Sequence, residues 1–132
     1  MSSSGTKTDT VCTYAEIRKR LMLDLPHWEL RDNSLWREYK TSGWKSTLMV
    51  VGVIGHFAEI AWHHPDLNVS YAFVIVKLVT HSAKGITDKD FALAKKIEEV
   101  VMWDAAATSE GVFEGTPDDP RFKYIKQDKQ DK

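Results

Sequence analysis

The sequence predicts an α+β domain whose sheet is mostly antiparallel, with its helices gathered on one face. Three observations carry that expectation. Helical spacing of apolar residues recurs at three places along the chain. Aromatic-rich segments flank a turn-forming Asp32-Asn33 pair, and a β-branched, aromatic stretch from Val69 to His81 separates two of the helices. The order helix, hairpin, helix, strand, helix follows, and the open face of such a sheet calls for a cover that oligomerisation can supply.

Residues 1–11 are polar and read as a flexible tail. Thr13 with Glu16 three residues later is a capping-box pattern, after which Tyr14, Ile17 and Leu21 share one helical face. Pro26 stops that helix. Trp28-Glu29-Leu30 and Leu35 to Lys40 then flank Arg31-Asp32-Asn33-Ser34 as a hairpin. A long helix follows Ser42-Gly43, with Trp44, Leu48, Val51, Gly55, Ala58 and Trp62 as a continuous stripe. Pro65 disfavours helical geometry at His64, so this helix is expected to end around the two histidines.

From Val69 to His81 both alternating faces are largely apolar, so periodicity leaves open whether this is one strand or two. Thr87-Asp88-Lys89-Asp90 starts a final helix, with Leu93, Ala94, Ile97, Val100 and Val101 facing inward. The chain from about Thr108 is polar, carries Pro117 and Pro120, and reads as a loose extension. The expected division is therefore a tail over residues 1–11, a domain over 12–107 and an extension over 108–132.

The 132 residues suit one domain, and 42% hydrophobic residues with five tryptophans can build a core. Against 18 basic residues stand 19 acidic ones, a net charge of −1, which gives no support to direct nucleic-acid binding. Cys12 is the lone cysteine, so no intrachain disulfide forms, in keeping with a reducing compartment. The N-terminal residues lack the apolar stretch of a secretory signal, and the apolar run from Leu48 to Ile54 is too short to cross a bilayer. A soluble protein of the cytoplasm is expected, with the nucleus open as well.

Candidate chemistry lies at the junctions between elements. His63 and His64 end the long helix, His81 ends the apolar stretch, Glu59 sits one helical turn before His63, and Asp90 lies in the first turn of the last helix. Imidazole titrates near ~6.5, so it exchanges protons at neutral pH with little tuning. No nucleophile motif, phosphate-cradling glycine loop or dinucleotide fingerprint accompanies these residues, which points to proton transfer rather than covalent catalysis. Taken singly, each has a plainer reading: a histidine at an element end packs or caps, Glu59 is solvated, and Asp90 complements a helix dipole. Metal binding by three histidines is conceivable, but neither a His-x3-His spacing nor a cysteine pair supports it. His27 and His56 read as structural, and Trp28, Trp36 and Trp44 as core or interface.

The whole constellation is more specific than its parts: Glu59, His63-His64-Pro65, Tyr71, His81 and Asp90 at these spacings, with Thr80-His81 and Gly85-Ile86-Thr87-Asp88-Lys89-Asp90. From Ala58 to Val100 it resembles the pterin-4a-carbinolamine dehydratases, also known as dimerisation cofactors of a homeodomain transcription factor. Weaker similarity extends back through the long helix and hairpin. Trp62 and Leu67 stand where the animal members carry an acidic residue and a tryptophan.

The resemblance implies a four-stranded antiparallel sheet with helices on one face, in the order α-β-β-α-β-β-α, and assembly as a tetramer built from dimers. It implies dehydration of 4a-hydroxytetrahydropterin to quinonoid dihydropterin in tetrahydrobiopterin recycling, with no metal or organic cofactor. The implied catalytic residues are His63, His64 and His81: His63 and His81 as acid/base groups, and His64 mainly to bind and orient substrate. Glu59 would hold an imidazole, the backbone of Val79 and Thr80 would read the pterin edge, and Pro65 and Asp90 would support the pocket. The alternative is a non-catalytic module that stabilises a transcription-factor dimer, resting on the long helix rather than on the histidines.

Overall fold

A computed structural model describes residues 9–126; the remainder of both expected tails lies outside the described residues. The first helix, α1, spans Tyr14–Asp24 and opens on the expected capping box. Glu16 N–H donates to Thr13 Oγ1 at 3.1 Å, and Thr13 N–H donates to Glu16 Oε1 at 2.7 Å, satisfying two otherwise orphan donors. Ile17 and Leu21 are buried, whereas Tyr14 stays exposed and takes a hydrogen bond from Arg18 one turn on. Strands β1 (Glu29–Arg31) and β2 (Ser34–Lys40) form the expected hairpin. Asp32 and Asn33 both have positive φ, 49° and 62°, the pair of left-handed residues that a two-residue turn between twisted strands requires.

Helix α2 spans Trp44–Ala61 and is followed by β3 (Asp66–Ser70) and β4 (Phe73–Leu78). The apolar stretch is thus two strands, folded at Tyr71-Ala72 so that Val69 pairs with Val74. It begins at Asp66, directly after Pro65, and ends at Leu78, so His81 opens a 3₁₀ turn (His81–Ala83) rather than closing a strand. The last long helix, α3, spans Asp88–Val101, and a short turn of helix, α4, spans Ala105–Thr108. The four strands lie in the order β1-β2-β4-β3, every pair antiparallel. This is the expected α+β architecture.

Alternation sorts the sheet into two faces. Leu35, Arg37 and Tyr39 of β2 and Val74, Val76 and Leu78 of β4 are buried in the core, and their neighbours Trp36, Glu38, Ile75 and Lys77 are half-buried. From α2, the residues that reach the core are Thr47, Val50, Ile54 and Ala58. The stripe expected from spacing is largely the other one: Trp44 is 50% exposed, Leu48 46% and Trp62 73%. This helix is apolar on two faces, and a 3.6-residue period cannot say which of two apolar stripes meets the sheet. On α3, Leu93, Ala94, Ile97 and Val101 are buried as expected, while Val100 stays exposed. The chain near the C-terminus comes back to the sheet, where Ile125 bridges Thr41 and Lys126 N–H donates to Lys40 O at 2.8 Å.

One buried polar group ties α3 to the hairpin. Arg37 donates to both Glu98 carboxylate oxygens at 2.9 Å, and Tyr39 Oη and Trp28 Nε1 donate to Oε1 at 2.6 Å and 2.9 Å. Burial pushes the Tyr39 phenol far up, and the adjacent Glu98 charge adds to the shift. For Glu98 itself burial pushes the carboxyl up. The hydrogen bonds from Arg37, Tyr39 and Trp28 and the Arg37 charge outweigh it, leaving the group below the ordinary 4.5. A carboxyl depressed in the folded state adds stability that is present above its unfolded value and lost as pH falls through its folded one. The stability gap between the wild type and Glu98→Gln, read from urea titrations, should therefore narrow below pH ~4.5. A gap unchanged from neutral to strongly acidic pH would show that the charge plays no part.

Candidate active site

The site is assembled where α2 ends and α3 begins. Asp90 is the third residue of α3, and its Oδ2 accepts from Thr87 N–H at 2.9 Å, completing a capping box with Thr87. That single-helix task uses one carboxylate oxygen. The other, Oδ1, lies 2.7 Å from His63 Nε2. Thr80, just past β4, adds its hydroxyl to Asp90 Oδ2 at 2.8 Å and meets Thr87 Oγ1 at 2.8 Å. Asp90 is 0% exposed, so these partners replace all of its water.

His63 reaches this carboxylate because of how α2 stops. Trp62 sits in the left-handed region (φ 53°, ψ 47°), and the N–H of His63 folds back to Ala58 O at 3.1 Å. A bulky residue in that conformation is strained, and the helix gains from it a sharp exit that swings His63 toward α3. Pro65 then holds the chain extended into β3. The same break in helical phase changes the partner of Glu59. Spacing set Glu59 beside His63, but its Oε1 is 3.0 Å from His64 Nε2, five residues on, and both of these side chains are exposed. The His64 ring also stands edge-on to Trp62, with centroids 4.9 Å apart.

His81 directly follows Thr80 and is exposed at the start of the 3₁₀ turn, in a small loop closed by paired backbone bonds between Thr80 and Gly85. Val79 is half-buried beside it. His63, Thr80 and Asp90 are thus brought into one bonded group, with His81 adjacent in the chain and the Glu59–His64 pair next to His63. Tyr71 is not among them. It lies in the β3–β4 turn at the far end of that hairpin, where its carbonyl accepts from Thr47 Oγ1 at 2.9 Å. His56 packs edge-on against Phe57. The hydroxyls of Thr80 and Thr87 are the site members that residue spacing did not single out, although Thr87-x-x-Asp90 is itself a readable capping signature.

Cavities of about 450 Å³ beside Cys12 and Arg20 and about 540 Å³ beside Tyr14 and Trp28 contain no histidine in their walls. His63 is half-buried while His64 and His81 are exposed, and the chemistry of the group marks it as the candidate. Among the described residues, no three His, Cys, Asp or Glu side chains converge as a metal site would need. The arrangement offers one imidazole anchored by a buried carboxylate, a second held by an exposed one, and a third with freedom to move. Such a set can give a proton at one atom of a bound molecule and take one at another.

Comparison with known proteins agrees in sequence and in fold. Residues 10–100 match the family model described as pterin 4 alpha carbinolamine dehydratase. A protein of Aquifex aeolicus provisionally named pterin-4-alpha-carbinolamine dehydratase is 48% identical over 83 residues, covering 63% of this chain and 84% of that protein. One of Sulfolobus acidocaldarius with the same provisional name is 39% identical over 85 residues, 64% of this chain and 92% of its own length. A crystal structure from Brucella melitensis, titled transcriptional coactivator/pterin dehydratase, superposes with a TM-score of 0.65 at 26% identity, covering 70% of this chain and 99% of that one.

Proposed function

The chain belongs to the pterin 4 alpha carbinolamine dehydratase family, and from that premise we propose that it is a 4a-hydroxytetrahydrobiopterin dehydratase, a hydro-lyase working by histidine acid/base catalysis in tetrahydrobiopterin recycling. The observation that carries the reading is the imidazole of His63 held at 2.7 Å by the buried Asp90, with His81 and His64 alongside. Hydroxide is a poor leaving group, so one imidazolium protonates the 4a-oxygen as the C4a–O bond breaks and water departs. A neutral imidazole takes the N5 proton, and the electrons of that N–H bond close the C4a=N5 double bond of the quinonoid product. His63 and His81 are assigned these two transfers, each worth about 10²–10⁴ in rate. His64, held by Glu59, binds and orients the substrate, and the backbone at Val79, next to Thr80, reads the pterin edge. Pro65 and Asp90 keep these groups in place, and no metal or organic cofactor is called for.

Residues 12–107 are taken as the catalytic domain, acting in the cytoplasm; no helix among the described residues is long and apolar enough to cross a membrane. The test is the rate of 4a-hydroxytetrahydropterin dehydration, followed by ultraviolet absorbance with and without the purified protein. Acceleration is expected. A folded protein without effect would sink the assignment and favour the second reading, a module that stabilises a transcription-factor dimer.

Assembly as a homotetramer is supported by the outer face of α2, where Trp44, Leu48, Met49 and Ile60 stand exposed. Leu48→Arg should lower the mass measured by light scattering, since a buried unpaired cation opposes association. An unchanged mass would remove this face from the interface.

A further inference from the structure

We propose that Thr80 and Thr87 are positioning residues that fix the proton of His63 on Nε2 and leave Nδ1 as the atom that exchanges protons with the substrate. The inference rests on the dehydratase reading for its function, but the proton arrangement itself follows from counting donors. Thr80 Oγ1 donates to Asp90 Oδ2. A hydroxyl has one proton, so toward Thr87, 2.8 Å away, Thr80 can only accept. Thr87 therefore donates to Thr80, while its oxygen accepts the N–H of Lys89 at 3.2 Å. Thr87 N–H also points at Asp90 Oδ2. Every donor in the group runs in one direction, toward the carboxylate.

An ionised carboxylate only accepts. With Oδ2 occupied by two donors, Oδ1 faces His63 Nε2 at 2.7 Å, and the nitrogen there must carry the proton. Nδ1 then holds the free lone pair of the neutral ring. It bonds to no described residue, and among the described residues no buried side-chain nitrogen or oxygen is left without a partner, so Nδ1 opens to solvent. The hydroxyls of Thr80 and Thr87 thus act through Asp90, on the side of the imidazole away from the reaction. Thr80 acts here through its hydroxyl, since its backbone N–H is bonded to Gly85 and its carbonyl accepts from Ala83 and Gly85.

The arrangement makes an unusual demand on Asp90→Asn. Thr80 O–H and Thr87 N–H would both hold the amide oxygen, turning the amide NH₂ toward His63. Nε2 would then have to accept, and the proton would move to Nδ1, the wrong tautomer for the reaction. Two-dimensional ¹H–¹⁵N NMR of the ring nitrogens, which needs no substrate, should show a protonated Nε2 in the wild type and a protonated Nδ1 in Asp90→Asn. Thr80→Val should weaken the His63 Nε2–H signal and lower kcat about ten- to a hundred-fold, the loss of one hydrogen bond to a charged group. Thr80→Ser should restore both. A protonated Nδ1 in the wild type, or an Asp90→Asn ring that keeps its proton on Nε2, would overturn the device. So would a folded Thr80→Val with unchanged signal and rate. If the tautomers behave as described while no variant, wild type included, dehydrates the pterin, the device stands and the functional reading fails alone.

Discussion

Replacing His63 by alanine is expected to lower the dehydration rate by about 10²–10⁴, the usual weight of one positioned acid/base group. The expected loss is in kcat, because the imidazole acts on protons that move in the transition state rather than on substrate affinity. Alanine also leaves the Asp90 carboxylate, 0% exposed, short of a partner, so some stability goes with it. His63→Gln separates the two effects: its side-chain amide can still donate to Asp90 but cannot titrate. The glutamine variant should match the wild type more closely in denaturant midpoint and match alanine in rate. His81→Ala should also slow the reaction, and it should do so without a stability cost, since that side chain is exposed. If His63→Gln and His81→Ala both keep full activity, the acid/base assignment is wrong.

The largest loss of stability is expected far from the histidines. Glu98→Ala removes the acceptor of hydrogen bonds from Arg37, Tyr39 and Trp28 at once and leaves the Arg37 guanidinium, 2% exposed, without that carboxylate. Breaking a buried ion pair from one side typically costs about 3–5 kcal/mol, because the remaining charge keeps its desolvation penalty. For a domain of ordinary stability, about 5–15 kcal/mol, that is a substantial share, and urea unfolding would read it directly. A loss below about 1 kcal/mol would mean that water or neighbouring groups take over the role of Glu98.

The contrast between these two sites says what kinds of information a sequence holds. The histidine site was legible because its members are rare residue types at element ends, held to fixed spacings. The Glu98 group was not. Arg37 and Glu98 look like surface charges in the sequence, 61 residues apart, and only the packing of α3 on β2 joins a buried Arg37 to a half-buried Glu98. Pairing within the site was also beyond spacing. Glu59 stands one turn before His63, yet the left-handed Trp62 turns the chain so that His64 meets Glu59 and His63 meets Asp90.

By itself the sequence determined the elements whose signals are local. The capping box at Thr13, the start of the last helix at Thr87-Asp88-Lys89-Asp90, the Asp32-Asn33 hairpin and the end of α2 ahead of Pro65 all depend on a few neighbouring residues, and all stand in the structure. It also determined the α+β class, through the order of helical and β-branched stretches. Only the tertiary structure decided what depends on partners distant in the chain. It chose the Thr47-Val50-Ile54-Ala58 stripe of α2 for the core, folded the stretch after Pro65 into two paired strands, and assigned each imidazole its carboxylate. The physical reason is the same in each case. Periodicity reports that a face is apolar, and residue type reports that a group can bond, but neither names the surface or the partner that will take it; packing does.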